Sequence, residues 1–178
     1  TAVVLYPAVT AQELLASVLA DLKVPAPQGA SLKILVDRLH AFLLEARAAG
    51  RDVILLIDEA QDLAPAVLEQ VRLISNLETD TEKLIQIVLM GQSELLDKLT
   101  LPGLRQLAQR ITARYHLTGL GRQECESYIR HRLTVAGGEG KVTFTAGALV
   151  AIHRESAGIP RVINLLCDRA LLAGFVAG

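Results

Sequence analysis

The chain has 178 residues, of which 51% are apolar and 21% charged, and its formal net charge is −1. This length is typical of one domain, or of one domain with a small second unit. The balance of 18 basic and 19 acidic residues excludes binding driven mainly by nucleic-acid phosphates, and the apolar content excludes general disorder. The apolar runs are too short to span a bilayer, which takes roughly 18 residues or more. Two cysteines without metal or disulfide spacing indicate a reducing compartment, and we expect the cytoplasm.

The first 118 residues predict strands that alternate with helices. Apolar, β-rich runs predict strands at 2–6, 53–57 and 84–90, and a weaker fourth strand at 114–117. Apolar residues at helical spacing predict helices after the capping box Thr10-Ala11-Gln12-Glu13, after Ser31, from Pro65, around 94–99 and at 102–111. Such alternation implies right-handed crossovers and a parallel sheet covered on both faces.

The pattern changes after Thr118. Three helices follow, at 123–136, 145–156 and 159–176, and the glycine-rich stretch Gly137-Gly138-Glu139-Gly140 joins the first two. The sequence therefore predicts an α/β core over residues 1–118 and an all-helical part over residues 119–178.

The strongest chemical signal is the pair Asp58-Glu59, which directly follows the apolar run 53–57. In open α/β sheets, ligands bind beyond the carboxyl ends of the strands. Neighbouring strand residues point in opposite directions, so one carboxylate can hold Mg²⁺ through water while the other orients or activates an attacking water. The alternative is a pair of solvated acids before a helix N-terminus, which favours negative charge anyway.

A second polar group follows the neighbouring strand, in Gly91-Gln92-Ser93. The side chain of Gln92 is placed to hydrogen-bond a γ-phosphate or the attacking water. Taken alone, however, the pattern favours a turn glycine followed by residues that cap a helix.

Arginines provide a third group of candidates. Arg105, Arg110 and Arg114 lie in one stretch, and a guanidinium that reaches across a subunit boundary can stabilise charge on a transferring phosphoryl group. Arg161 follows Pro160, which suits the first turn of a helix, so it is held where it can point at a bound phosphate. For any one of these arginines, the simpler interpretation is an exposed, solvated side chain.

Together these motifs resemble those of AAA+ ATPases, along the whole chain. The resemblance is carried by Leu56-Ile57-Asp58-Glu59-Ala60-Gln61-Asp62, Gly91-Gln92-Ser93-Glu94-Leu95, Gln109-Arg110-Ile111, Arg114-Tyr115-His116-Leu117, Tyr128-Ile129-Arg130-His131-Arg132-Leu133 and Gly158-Ile159-Pro160-Arg161-Val162-Ile163-Asn164. The sequence is most similar to the general secretion pathway protein A group, which includes ATPases of MSHA pilus biogenesis and of exopolysaccharide export. Transposition and origin-recognition ATPases are more distant.

The resemblance implies a site for ATP and Mg²⁺. It makes Asp58 and Glu59 the Walker B pair, with Asp58 binding Mg²⁺ through water and Glu59 acting in catalysis, and it places Gln92 near sensor 1. The implied fold is an AAA+, P-loop NTPase-like parallel sheet with flanking helices, incomplete at the N-terminus, followed by an all-helical lid.

The resemblance also implies contacts between subunits. Arg110, or as second choice Arg105, would be the arginine finger, and Arg161 would be sensor 2 in the lid. The implied partners are ATP, further copies of the chain at AAA+ interfaces, and assembly proteins of a bacterial envelope secretion or pilus system. Nucleic acid is not an expected partner.

Two departures from the family pattern stand out. No G-x-x-x-x-G-K-[ST] motif occurs, and the nearest imitation, Gly137-Gly138-Glu139-Gly140-Lys141-Val142, has the wrong spacing and follows a helix. In the family the phosphate loop precedes the strand at residues 2–6, so we expect that the first strand and Walker A loop are missing, that ATP binds poorly, and that strand edges and apolar surface are exposed. Gly119 stands where the family usually has proline and is expected to loosen the hinge.

Two other functions remain open. The chain could be a non-catalytic, ATPase-like scaffold, which would be favoured if the sequence upstream of it lacked the lysine and Ser/Thr of a phosphate loop. It could also be a nucleic-acid-remodelling ATPase of the transposition type, although the near-neutral charge and the 3% aromatic content argue against this.

Overall fold

The computed structural model describes residues 1–4, 10–79, 82–138 and 140–177. The chain divides into two compact units, Thr1–Ala113 and Arg114–Gly178. The functional boundary between core and lid after residue 118 stays a prediction, because compactness alone does not define a functional domain.

The first unit alternates strands and helices. Its elements are β1 (Ala2–Val4), α1 (Ala11–Asp21), α2 (Leu32–Ala48), β2 (Ile54–Ile57), a 3₁₀ turn (Ala60–Asp62), α3 (Pro65–Ile74), β3 (Gln86–Leu89), α4 (Glu94–Leu99), a second 3₁₀ turn (Pro102–Leu104) and α5 (Arg105–Arg110). The part of the first predicted strand beyond Val4 lies outside the described residues.

The three strands form one parallel sheet in the order β1-β2-β3. Val3 is paired with Leu56, and Leu56 with Val88, so β2 is the central strand. The predicted parallel sheet is therefore confirmed, with the most apolar run of the sequence at its centre.

One face of this sheet is buried and the other is partly exposed. Ala2, Leu55 and Ile57 have no exposed surface, and helix α1 packs on β1, α2 and α3. On the opposite face, Val3 and Val88 are 38% and 42% exposed. Among the described residues, the predicted cover of the sheet is therefore complete on one face and partial on the other.

Side-chain hydrogen bonds stabilise both ends of α1. Thr10 and Glu13 form the predicted capping box, in which each side chain accepts a hydrogen bond from the other residue's backbone. The backbone N–H of Thr10 thereby holds the pKa of Glu13 below its usual value. At the other end, Asp21 Oδ2 accepts a hydrogen bond of 2.9 Å from the N–H of Val3, so a side chain satisfies an edge group of β1.

The prediction of a fourth strand at 114–117 is wrong. Residues 111–121 form no regular structure, and Tyr115 and Leu117 are 89% and 83% exposed. A short apolar run becomes a strand only where a neighbouring strand satisfies its backbone groups, and no strand among the described residues lies beside it.

The second unit contains the three predicted helices, α6 (Arg122–Val135), α7 (Ala146–Ser156) and α8 (Pro160–Ala177). Cys125, Ile129, Ile152 and Ile163 form its small core. Within the described ranges, the helices are all too short or too polar to cross a membrane.

Gly119 and Gly158 allow two backbone segments of the second unit to approach closely. The N–H of Leu120 donates a hydrogen bond of 2.8 Å to the carbonyl of Gly158. A Cβ on Gly119 would lie 2.1 Å from the carbonyl oxygen of Ala157, and a Cβ on Gly158 would lie 2.1 Å from that of Leu120. Gly119 therefore permits a tight contact within the second unit, and its expected effect on the hinge stays a prediction.

Burial makes the two free cysteines poor nucleophiles. Cys125 is 1% exposed, and burial raises its pKa; burial also raises the pKa of Cys167, with smaller contributions from Cys125 and Asp168. A raised pKa keeps each thiol protonated until the pH exceeds its ordinary range. We expect iodoacetamide to alkylate Cys125 at least about tenfold more slowly in the folded protein at pH near 8 than in concentrated urea. Equal rates would show that the core of the second unit is open.

Candidate functional site

The candidate site lies where β2 and β3 end side by side. The backbone pairing continues past the strands, since the N–H of Asp58 donates to the carbonyl of Val4 at 3.0 Å and that of Met90 to the carbonyl of Ile57 at 2.8 Å. Asp58 is half-buried, whereas Glu59 and Gln92 are exposed. Polar side chains therefore follow the ends of two neighbouring strands, β2 and β3, whose backbones are hydrogen-bonded to each other.

Glu59 has an unusual backbone conformation. Its φ of +48° and ψ of +40° lie in the left-handed region, which costs a residue with a side chain about 1–2 kcal/mol. Its N–H donates to Oδ1 of Asp58 at 2.9 Å, and the 3₁₀ turn Ala60–Asp62 follows at once. Conformations of this kind cluster at functional sites, because the surrounding structure must hold them in place.

Amide groups surround the carboxylate of Glu59. Its Oε2 accepts a hydrogen bond of 2.7 Å from Nε2 of Gln61 and one of 3.4 Å from Nε2 of Gln92. Two residues that the sequence assigns to this site, Glu59 and Gln92, are thus brought together across 33 positions of the chain.

Two further residues hold the same turn, and sequence analysis assigned neither of them a role. Oε1 of Gln61 accepts a hydrogen bond of 3.0 Å from the backbone N–H of Gln92. Nζ of Lys98, from α4, donates to the carbonyl oxygens of Gln61 and Leu63, the latter at 2.9 Å. Gln61 stands within the motif that follows β2, so its position was visible in the sequence, whereas its contacts were not.

The predicted arginines Arg105 and Arg110 belong to helix α5. They are exposed at its two ends. Arg110 also adds to the effect of Lys83, which lowers the pKa of Glu78 by a hydrogen bond and an ion pair. In the second unit, Arg161 is exposed in the first turn of α8.

Asp58 is the residue of this site best suited to a metal ion. Mg²⁺ is usually bound by one or two carboxylates together with water and phosphate oxygens. Among the described residues, no group of three or more histidine, cysteine, aspartate or glutamate side chains is arranged to hold a metal ion. A half-buried carboxylate at a sheet edge is the kind of ligand that a magnesium ion shared with a nucleotide would use.

Solved structures with a similar fold include two of the ORC2 protein of Aeropyrum pernix, one in an ADP form and one in ADPNP–ADP complexes. Their TM-scores are 0.64 and 0.63, at 14% and 16% sequence identity. They cover 92% and 93% of this chain, which in turn covers 46% and 45% of theirs. The likeness confirms the predicted fold, an AAA+ arrangement of a parallel sheet with flanking helices.

Sequence comparison identifies a close relative and a family. General secretion pathway protein A of Aeromonas hydrophila is 52% identical over 177 residues, which are 99% of this chain and 32% of that protein. The chain thus spans about a third of this relative's length. The family model described as the AAA domain matches residues 2–99, more than half of the chain. The chain belongs to the AAA domain family.

Proposed function

We propose that this chain belongs to an ATP-hydrolysing module in which Glu59 orients or activates the attacking water. The observation that carries the proposal is the meeting of the Glu59 carboxylate and the Gln92 amide, 3.4 Å apart, at the joined ends of two parallel strands. In hydrolysis of a γ-phosphate, a carboxylate positions the water, and a neighbouring amide can donate a hydrogen bond to the phosphate or to that water.

Asp58 and Glu59 have different surroundings, which suits different roles. Asp58 is half-buried, and its Oδ1 accepts a hydrogen bond from the N–H of Glu59. This bond fixes the carboxylate of Asp58 near the sheet edge. Glu59 is exposed and can reach a water molecule. We assign Asp58 to Mg²⁺, held through water, because a bound Mg²⁺ would offset the negative charge of the phosphates of ATP.

The arginines are proposed to act at neighbouring sites. Arg110, with Arg105 as the second choice, is exposed on α5, as a finger that reaches the nucleotide of another copy must be. Arg161 is proposed as sensor 2 of the lid. The proposal therefore includes self-association of the protein. The 178 residues contain no G-x-x-x-x-G-K-[ST] motif, so weak nucleotide binding by these residues alone is also part of it.

The cellular role is proposed from the 52% identity to General secretion pathway protein A. We place the module in the cytoplasm, where it would support assembly of an envelope secretion or pilus system. A second candidate function is a non-catalytic scaffold of such a system, which would be favoured if the full-length protein lacked the lysine and Ser/Thr of a phosphate loop. The likeness to ORC2 supports the fold and does not extend to a nucleic-acid partner.

Asp58→Asn in the full-length protein tests the proposal. Removing the negative charge should raise the Mg²⁺ concentration needed for half-maximal ATP hydrolysis by about tenfold or more. The measurement is phosphate release at saturating ATP across a Mg²⁺ titration. Asp62→Asn is the matched control, since Asp62 is exposed four positions further along, and it should behave as the unchanged protein.

Two results would count against the proposal. If Asp58→Asn leaves the Mg²⁺ dependence unchanged, Asp58 does not hold the ion. If the full-length protein releases no phosphate from ATP with Mg²⁺ present, the scaffold is the better account.

A further inference from the structure

The side chain of Gln61 uses both ends of its amide to join two strand ends. Nε2 donates to Oε2 of Glu59 at 2.7 Å, and Oε1 accepts from the backbone N–H of Gln92 at 3.0 Å. We propose that Gln61 is a positioning residue, which holds the carboxylate of Glu59 and the turn after β3 in one fixed arrangement. The proposal rests on the proposed function of Glu59 and goes beyond it, because it assigns the geometry of the site to a third side chain.

The backbone of Gln61 is held from two directions. Lys98 donates to its carbonyl oxygen, and the N–H of the preceding Ala60 donates to the carbonyl of Met90 at 2.8 Å. Hydrogen bonds made by its backbone thus connect the turn that carries Gln61 to the end of β3 and to α4, independently of the Gln61 side chain. Because the backbone of this turn is already ordered, the two hydrogen bonds of the Gln61 amide need to order only its side-chain rotamers.

Gly91 provides the space that this bridge needs. A Cβ at position 91 would lie 2.6 Å from Oε1 of Gln61, and 3.4 Å from the backbone nitrogen of Ala60. Any larger residue would push the amide of Gln61 away from the turn. The close approach of Gln61 therefore explains why a glycine follows β3 at position 91.

Glu59 is exposed, so packing against apolar side chains does not fix its carboxylate, and its backbone has an unfavourable left-handed conformation. A carboxylate that must orient a water molecule loses much of its effect when it is misplaced by about 1 Å. Gln61 acts through Glu59 and Gln92, because its amide contacts the carboxylate that would orient the water and the backbone of Gln92.

Gln61→Leu in the full-length protein removes both bonds at similar volume. We expect kcat for ATP hydrolysis to fall by about tenfold or more, with KM for ATP within about twofold of the unchanged protein. We also expect hydrogen exchange of the backbone N–H of Gln92 to become about tenfold faster, because this N–H loses its hydrogen bond to Oε1 of Gln61. Mass spectrometry of peptides that cover the turn after β3 gives the exchange rate.

Gln12→Leu is the matched control. Nε2 of Gln12 also bonds a distant backbone group, the carbonyl of Ala30 at 2.6 Å, but far along the chain from the strand ends. The Gln12→Leu change should leave both kcat for ATP hydrolysis and hydrogen exchange at Gln92 unchanged. Gly91→Ala is a second test, since it displaces the amide of Gln61 while keeping the residue, and it should reproduce both effects of Gln61→Leu.

The exchange measurement separates this proposal from the proposed function. Unchanged exchange at Gln92 in both Gln61→Leu and Gly91→Ala overturns the bridge, whatever the hydrolysis rate. Faster exchange with unchanged kcat in an active protein also overturns the proposal, because Gln61 then serves structure alone. If the unchanged protein does not hydrolyse ATP, the proposed function fails, and exchange alone decides: a faster rate supports the bridge and an unchanged rate overturns it.

Discussion

Glu59→Gln is expected to lower kcat for ATP hydrolysis by about 10²-fold or more, the usual contribution of a group that takes up a proton in the transition state. Glutamine has nearly the same shape as glutamate, and its side-chain oxygen can still accept the hydrogen bond from Gln61. It cannot take a proton from an attacking water. The loss should therefore appear in kcat, with ATP binding retained, as measured by phosphate release at saturating ATP and by binding of a fluorescent ATP analogue.

Glu94→Gln is the matched control for this change. Glu94 is an exposed glutamate in the first turn of α4, close in sequence to Gln92, and the same loss of charge there should leave hydrolysis unchanged. A Glu59→Gln protein that hydrolyses ATP at the original rate would remove Glu59 from the mechanism. It would also leave the meeting of Glu59 and Gln92 as a structural feature of the sheet edge.

The proximity of Glu59 and Gln92 could be predicted from the sequence because a general rule governs it. Parallel strands end at the same edge, so residues that follow two such strands lie close together. The contacts of Gln61 follow no such rule. They depend on the left-handed backbone of Glu59, which turns the chain so that a side chain two positions later reaches back to it. No pattern of residue types specifies that angle.

The predicted strand at 114–117 is wrong for a physical reason. Residue type favours a strand there, but a strand also requires a partner that satisfies its backbone groups. The role of Gly119 in the second unit likewise depends on a residue distant in sequence, because a glycine is required where its backbone approaches Ala157. Residue types alone specify neither relation.

Gly158→Ala is expected to destabilise the second unit by about 3 kcal/mol or more, because it combines backbone strain with a steric clash. The φ of Gly158 is +76°, which a residue with a side chain adopts only at a cost. The new Cβ would also lie 2.1 Å from the carbonyl oxygen of Leu120 and 2.6 Å from its nitrogen. These are backbone atoms and cannot rotate away, so the hydrogen bond between Leu120 and Gly158 must break.

The test compares Gly158→Ala with Gly147→Ala. Gly147 lies in helix α7, and apart from its chain neighbours and the backbone of its own helix, no heavy atom lies within 4 Å of the position that its Cβ would take. Because alanine favours the helix more than glycine does, Gly147→Ala should stabilise the unit by about 0.5–1 kcal/mol. Urea unfolding gives the two free energies, and alkylation of the buried thiol of Cys125 reports on the second unit directly. The two variants should therefore shift stability in opposite directions, although each changes glycine to alanine. Equal stability would show that the segments at Leu120 and Gly158 do not approach closely, and the small core of the second unit would then have to hold the three helices alone.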